Sequence, residues 1–327
     1  MKLATLPDPE GHNRAGRLAV VSRDGRWAVW PEGTLSLLEA LENWAERSPS
    51  LRDLSAQLER QGDRCPGVFA LELDRCLAPL PHAPGFYDGS AFLSHVVRAR
   101  RARGDEMPAS ARVTPLMYQG VSDNLLAWNA PIDLMREEFG GDFEGEFAVV
   151  TTDVPKATPA SGLEPYCALV LLFNDITYRE IVKTEIETKF GFLQSKPNSS
   201  FAPFAVTPDE LGNAWRGGRL HADLEVKLNG ERFGTPNGAE MHFSFFELVA
   251  HACRTRPLAA GSIVGTGTIS NEDKGRGFAC ITEKRFQEVL DTGKAVSPWL
   301  KPGDRVEMDV VLGNSSVFGR IDEVAVL

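Results

Sequence analysis

The sequence predicts an α+β protein in two parts: a small α+β N-terminal unit over residues 1–78 and a larger β-rich domain over 79–327. Three observations carry that prediction. The first part holds a hairpin signal followed by apolar residues at helical spacing. A proline-dense stretch at 79–84 marks a break. Beyond it, short apolar runs separated by turn residues outnumber helical stretches, which favours a predominantly β domain. A chain of 327 residues is long for one core and short for three, which fits a large domain beside a small one.

Composition narrows the function classes. With 43% hydrophobic and 24% charged residues the chain is an ordinary globular one. Its 35 basic residues against 45 acidic ones leave a net charge of −10, which argues against nucleic acid as a partner. The five cysteines are scattered and form no C-x-x-C pair, so neither a zinc site nor a disulfide framework is indicated. The N-terminus meets Pro7 and Pro9 without an apolar core and does not read as a signal peptide. No run approaches a membrane span, and the reading expects a cytoplasmic protein.

In chain order, residues 17–30 read as two strands around the Asp24-Gly25 turn. Residues 35–44 carry Leu37, Leu38, Leu41 and Trp44 at helical spacing, and 51–58 continue in that style. Past the break, Asp88 reads as a cap on a helix running to Arg98. On a continuous helix Asp88 and His95, seven residues apart, would share a face. The plain alternative is an N-cap aspartate and an unremarkable helical histidine. The run Arg98-Ala99-Arg100-Arg101-Ala102-Arg103 reads as a solvated helix face, from which one arginine could still hold a substrate carboxylate.

Residues 141–150 have strand grammar, with Glu144 and Glu146 leaving one face and Phe143, Gly145 and Phe147 the other. Two carboxylates side by side repel unless something positive lies between them. That leaves two readings open, an edge strand with a solvated face or half of a cation site. Residues 166–173 form a continuous apolar run ending in Asn174-Asp175, either a strand-exit turn or a carboxylate delivered to a site. Alternation over 221–228 followed by Asn229-Gly230 predicts a strand and hairpin turn, 246–254 a helix, and 306–312 a closing strand. The glycine segment at 261–270 lacks the third glycine of a dinucleotide loop. There is no Walker A sequence, G-x-S-x-G elbow or H-E-x-x-H either.

The order of features is more specific than any one of them. Asp88 with His95, then Glu144-x-Glu146, Asn174-Asp175 with Arg179, Gln194-Ser195-Lys196, Gly265-Thr266-Gly267-Thr268-Ile269-Ser270 and Glu283 together resemble the fumarylacetoacetate hydrolase family. The resemblance covers roughly residues 79–312, and the N-terminal unit resembles the small domain of many bacterial members. It implies a mixed β-sandwich roll and a homodimer. It also implies that Asp88, Glu144, Glu146 and Asp175 bind Mg²⁺ or Ca²⁺, with Mn²⁺ also compatible. His95 and Glu283 would activate water, Lys196 would be the active-site lysine, and Tyr118 and Thr268 would contact substrate, together with Arg100 or Arg103. The chain departs from the fumarylacetoacetate-specific pattern at residues 181–186, which carry neither glutamine nor tyrosine, and at Ser90, which stands for a tyrosine. The loop before Lys196 is one residue longer.

Four carboxylates without thiolate or imidazole select a hard cation. A 1,3-dicarbonyl chelates such an ion through its two oxygens, and the ion stabilises the enolate that C–C hydrolysis releases, with His95 as base. The resemblance therefore implies a metal-dependent β-diketone hydrolase of the fumarylacetoacetate or acylpyruvate class, placed in aromatic or tyrosine catabolism. Decarboxylation, isomerisation or hydration of related oxo-acids is the alternative, and a non-catalytic ligand-binding protein a further one.

Overall fold

The structure, a computed structural model, describes residues 1–8, 11, 13–33 and 36–327. In the N-terminal unit, β1 (Lys2–Leu6), β2 (Arg17–Val21) and β3 (Trp27–Val29) form an antiparallel meander. Helices α1 (Leu37–Glu42) and α2 (Trp44–Gln61) follow, then β4 (Val68–Ala70) on the edge beside β3. The Ser36 side chain accepts from the backbone N–H of Glu39 and fixes the start of α1, and Asn43 separates the two helices. Leu35, the first residue of the predicted helix, lies outside the described residues.

The larger part contributes β5 (Phe86–Gly89), α3 (Leu93–Ala102) and β6 (Met117–Gln119). Next come β7 (Gly145–Thr151), β8 (Cys167–Asn174), α4 (Arg179–Thr188) and β9 (Phe204–Val206). The hairpin β10 (Glu225–Leu228) and β11 (Glu231–Gly234) precedes α5 (Phe245–Ala252) and β12 (Ile263–Gly265). The chain closes with α6 (Ile281–Thr292), β13 (Arg305–Asp309) and β14 (Ile321–Val326). At the turn between β10 and β11, Asn229 and Gly230 have φ of 55° and 79°. That is the left-handed pair which a two-residue hairpin needs and Asn-Gly accepts most readily.

One large sheet runs β4-β3-β2-β1-β9-β8-β7-β12-β5-β6. The N-terminal strands join the larger part through β1, whose Lys2 faces Val206 on β9. A second sheet runs β11-β10-β13-β14 and ends on the short strand Ile132–Asp133. Strands β7 and β8 sit mid-sheet with every residue buried, so Glu144-x-Glu146 is not on a solvated edge: the pair enters the core. On the face that carries Glu146, Ala148 and Val150 of β7 join Phe86, Phe173 and Phe201, the last two stacked 5.1 Å apart, while Phe147 and Val149 point into the core on the other face. Asp88 is likewise not a helix cap. It lies within β5, and α3 begins only at Leu93 with Phe92 at its cap position. Backbone pairing of β5 with both β12 and β6 holds residues 86–89 extended and overrides the local capping preference. Among the described residues, no helix is long and apolar enough to cross a membrane.

Candidate active site

Strand order carries the acids together. Asp88 sits on β5 opposite Gly265 of β12 and Tyr118 of β6, Glu146 rises from β7 on the other side of β12, and Asp175 follows the end of β8. Oxygens of Asp88, Glu146 and Asp175 lie within 4.8 Å of one another, all three residues buried. The glycine segment makes the room: a Cβ on Gly265 would lie 2.4 Å from Asp88 Oδ1. Gly267, at φ +71° and pressed against the Gly89 carbonyl, donates its N–H to that same oxygen at 3.0 Å.

Charges around the trio are unevenly compensated. Lys196 Nζ donates to Glu144 Oε2 at 2.6 Å, to Thr177 Oγ1 at 2.9 Å and to Asp175 Oδ2, which spends its three donors. Asp175 also accepts from Tyr118 Oη at 2.7 Å and Ser199 Oγ at 2.8 Å. Glu144 stands outside the trio and takes Arg179 on Oε1 at 2.7 Å. Arg179 in turn donates to Asp142 at 2.8 Å. Among the described residues, neither oxygen of Glu146 meets a donor. Five buried carboxylates, Asp88, Asp142, Glu144, Glu146 and Asp175, thus face the part-buried Arg179 and the buried Lys196.

The ionisation of the acids follows this imbalance. Burial and then the Asp175 charge push Asp88 up to about 7, and burial with Asp88 and Asp175 raises Glu146 well above the carboxylate range. Burial opposes the charge on Glu144, but Arg179 and Lys196 overcome it and hold Glu144 below that range. Burial also opposes the charge on Lys196, yet Asp175 and Glu144 keep it above the ordinary lysine value. A buried carboxylate without a donor costs several kcal/mol unless it is protonated or meets a cation. Glu146 between Asp88 and Asp175 has the oxygen chemistry of a hard-cation ligand, and the residues present fit such an ion.

Across the cavity, α3 and the first turn of α6 bring His95 and Glu283 together, with Nδ1 3.7 Å from Oε2. Glu283 Oε1 accepts from Ser270 Oγ and from Arg98, whose guanidinium also reaches the Asn271 carbonyl at 2.9 Å and Gln287 at 3.0 Å. Arg98 is therefore no part of a solvated face; it is 7% exposed. The remaining oxygen of Glu283 and His95 Nδ1 are buried without a hydrogen-bonding partner. A cavity of about 940 Å³ is bounded by Asp88, His95, Tyr118, Glu144, Lys196 and Thr268, so the expected site residues converge on one space. Glu146 and Asp175 lie beneath it and Glu283 behind His95. Arg100 and Arg103 both line the cavity, and Thr268 Oγ1 is buried there without a partner. A second cavity of about 1020 Å³ opens on the other face of α3, among Arg101, Arg112 and Lys274, away from the carboxylate trio.

Sequence reasoning assigned no role to Arg98, Asp142, Arg179 or Ser270. Arg98 follows His95 by three residues, a helical spacing that brings both to one side of α3 and was a usable signal. Asp142 gave none. Its oxygens accept the first N–H groups of α6, a contact made only by tertiary folding.

The model of the family described as Fumarylacetoacetate (FAA) hydrolase C-terminal matches residues 86–322, and that of Fumarylacetoacetase N-terminal domain 2 matches residues 1–82. A 2,4-didehydro-3-deoxy-L-rhamnonate hydrolase of Sphingomonas sp. (strain SKA58) is 25% identical over 203 residues, 59% of this chain and 68% of that protein. With other curated relatives the match spans only 53 to 58% of their length. Two solved structures share the fold. The maleylpyruvate hydrolase from Sphingobium sp. SYK-6 has a TM-score of 0.63 at 14% identity, with 100% of this chain and 99% of that one covered. The 5-carboxymethyl-2-hydroxymuconate delta-isomerase from Mycobacterium smegmatis has 0.63 at 16%, with the same coverage.

Proposed function

The chain belongs to the fumarylacetoacetate hydrolase family, and from that membership and its buried acids we propose that it is a divalent-cation-dependent hydrolase. Its substrate would be a small β-diketo acid of the acylpyruvate class, cleaved at a C–C bond. The observation that carries the proposal is Glu146, buried between Asp88 and Asp175 with neither oxygen met by a donor. Asp88, Glu146 and Asp175 would hold Mg²⁺, Ca²⁺ or Mn²⁺, with Glu144 beside them. When bound, a hard cation there would chelate the two oxygens of a β-dicarbonyl and offset the negative charge of the leaving enolate.

The chain's own groups supply the rest. His95, with Nδ1 toward Glu283, has Nε2 left to take a proton from water in the cavity it lines. Glu283 stabilises the resulting imidazolium once the 3.7 Å gap closes, and Arg98 keeps its other oxygen occupied. Thr268 Oγ1 is a donor in need of a partner, and Arg100 or Arg103 suits a substrate carboxylate. Lys196 reaches a substrate oxyanion only by releasing one of its three acceptors. Asp175, which also takes Tyr118 and Ser199, keeps two other donors when released, and Glu144 keeps Arg179.

Isomerisation, the activity for which the Mycobacterium smegmatis protein is named, would use the same cavity. A base paired with a buried carboxylate favours hydrolysis, in which water must lose a proton. The test is loss of enol absorbance from fumarylpyruvate, fumarylacetoacetate and a simple acylpyruvate, each with Mg²⁺ and with chelator. Cation-dependent decay to two acids is expected. Conversion to a single isomer would replace hydrolysis by isomerisation, and no cation dependence would refute the reading.

A further inference from the structure

Helix α6 starts with Cys280 at its cap position and Glu283 three residues on, the two places whose side chains form a capping box when they are serine and glutamate. Neither caps here. Cys280 makes no side-chain bond to the helix, and the N–H groups of Ile281 and Thr282 are taken by Asp142 at 2.8 and 2.9 Å. Freed from capping, both side chains turn toward His95 on α3. A sulfur, a carboxylate oxygen and an imidazole nitrogen then lie within 4.8 Å of one another. Glu283 is fully buried, with Oε1 engaged by Arg98 and Ser270 while Oε2 has no partner. His95 Nδ1 is buried and unpartnered as well.

We propose that His95, Cys280 and Glu283 form a second cation site, selective for thiophilic divalent ions such as zinc and separate from the all-oxygen trio of Asp88, Glu146 and Asp175. The donor sets sort the ions. One nitrogen, one sulfur and one oxygen suit zinc or cobalt, whereas magnesium and calcium demand oxygen ligands. Zinc bonds of about 2.0 to 2.3 Å set tetrahedral ligands roughly 3.3 to 3.5 Å apart. The His95–Glu283 separation of 3.7 Å is already close to that, and Cys280 Sγ lies within 4.8 Å of both. On binding, the Cys280 thiol gives up its proton to solvent. Thiolate and carboxylate then set two negative charges against the dication and the Arg98 guanidinium, and a fourth position remains for water from the cavity. The ion would enter past His95, which is the member of the three that lines the cavity.

Occupation takes His95 Nδ1 and Glu283 Oε2, the two atoms whose pairing would stabilise the imidazolium in the proposed water activation, so thiophilic ions inhibit. That consequence rests on the hydrolase reading; the site itself does not.

Cobalt(II), a spectroscopic stand-in for zinc, is titrated into the full chain saturated with Mg²⁺. A thiolate-to-cobalt charge-transfer band should grow to one equivalent and be absent in both Cys280→Ser and Cys280→Ala. A missing band in the wild type, or a band that survives in both variants through another cysteine, overturns the site. In parallel, zinc should inhibit Mg²⁺-dependent turnover, with the inhibitory concentration raised about tenfold or more by either substitution. Unchanged zinc sensitivity in variants that have lost the band overturns the inhibition. If the chain turns over no diketo acid, the band still decides the site.

Discussion

Replacing Glu146 by glutamine separates the cost of the acidic trio from its use. In the cation-free chain, Asp88 is pushed from 3.8 to about 7, first by burial and then by Asp175. At neutral pH that displacement opposes folding by about 4 kcal/mol, and Glu146, raised further by the same neighbours, adds to it. Glu146→Gln removes an ionisable group whose charge burial and its two neighbours oppose, and introduces an amide donor beside two carboxylates. A gain of about 1 to 2 kcal/mol in chelator follows, which for a chain of this size is a rise in Tm of about 2 to 4 °C. In the wild type a cation at a hundredfold excess over its Kd adds about 2.7 kcal/mol, and the variant should lose most of that increment along with turnover. Scanning calorimetry of both proteins in chelator and in Mg²⁺, Ca²⁺ or Mn²⁺ reads all of these quantities. A variant less stable than wild type in chelator, or one whose Tm still rises fully with cation, would refute the reasoning.

Three further outcomes are expected. His95→Ala should lose turnover by about 10²- to 10⁴-fold while keeping the cation-dependent rise in Tm, and full turnover in steady-state assays would remove His95 from the proposed mechanism. Arg98→Met strands the buried Glu283 carboxylate and should cost about 3 to 5 kcal/mol in urea denaturation. The double change with Glu283→Gln should cost less than the sum of the singles, and strict additivity would mean that the pair does not interact. Glu323, pushed up to about 8 by burial, stays protonated in the fold while the unfolded chain ionises near 4.5. Its contribution is present in full below about pH 4.5 and is lost as pH rises toward 8, on the order of 4 kcal/mol in all. Glu323→Gln should abolish that limb, measured as the difference between wild type and variant across the range.

How much of this was legible in the sequence depends on whether a residue's partner is near or far along the chain. The hairpin at Asn229-Gly230 needs only local φ preferences and stands as read; the apolar run read over 166–173 needs only its own apolarity, and the strand lies one residue later, Cys167–Asn174. Local logic failed at Asp88, because an aspartate ahead of a helix looks the same whether its N–H groups are free or paired in a sheet. It failed at Arg98 too. A run of arginines on a helix says solvent unless a buried acid waits on another element, and Glu283 lies 185 residues away. The acids themselves could be grouped from the order of the motifs. Their unequal compensation, with Glu144 held by two cations and Glu146 by none, required coordinates.

That inequality links the two sides of the cavity. Glu144 is tied to Arg179, Arg179 to Asp142, and Asp142 to the leading N–H groups of α6, the helix that carries Cys280 and Glu283. An aspartate at a helix N-terminus is ordinarily held by the partial positive charge there. Asp142 is instead raised by burial, which the neighbouring Arg179 charge opposes. Loss of the guanidinium would therefore act in two directions at once, leaving Glu144 with Lys196 as its one cation and loosening the start of α6. Arg179 touches neither His95 nor Glu283 in the bonds described, yet the separation of 3.7 Å between them depends on where α6 begins. Glu144, beside the carboxylate trio, and the helix that carries Glu283 are thus linked by one continuous chain of charges through Arg179 and Asp142.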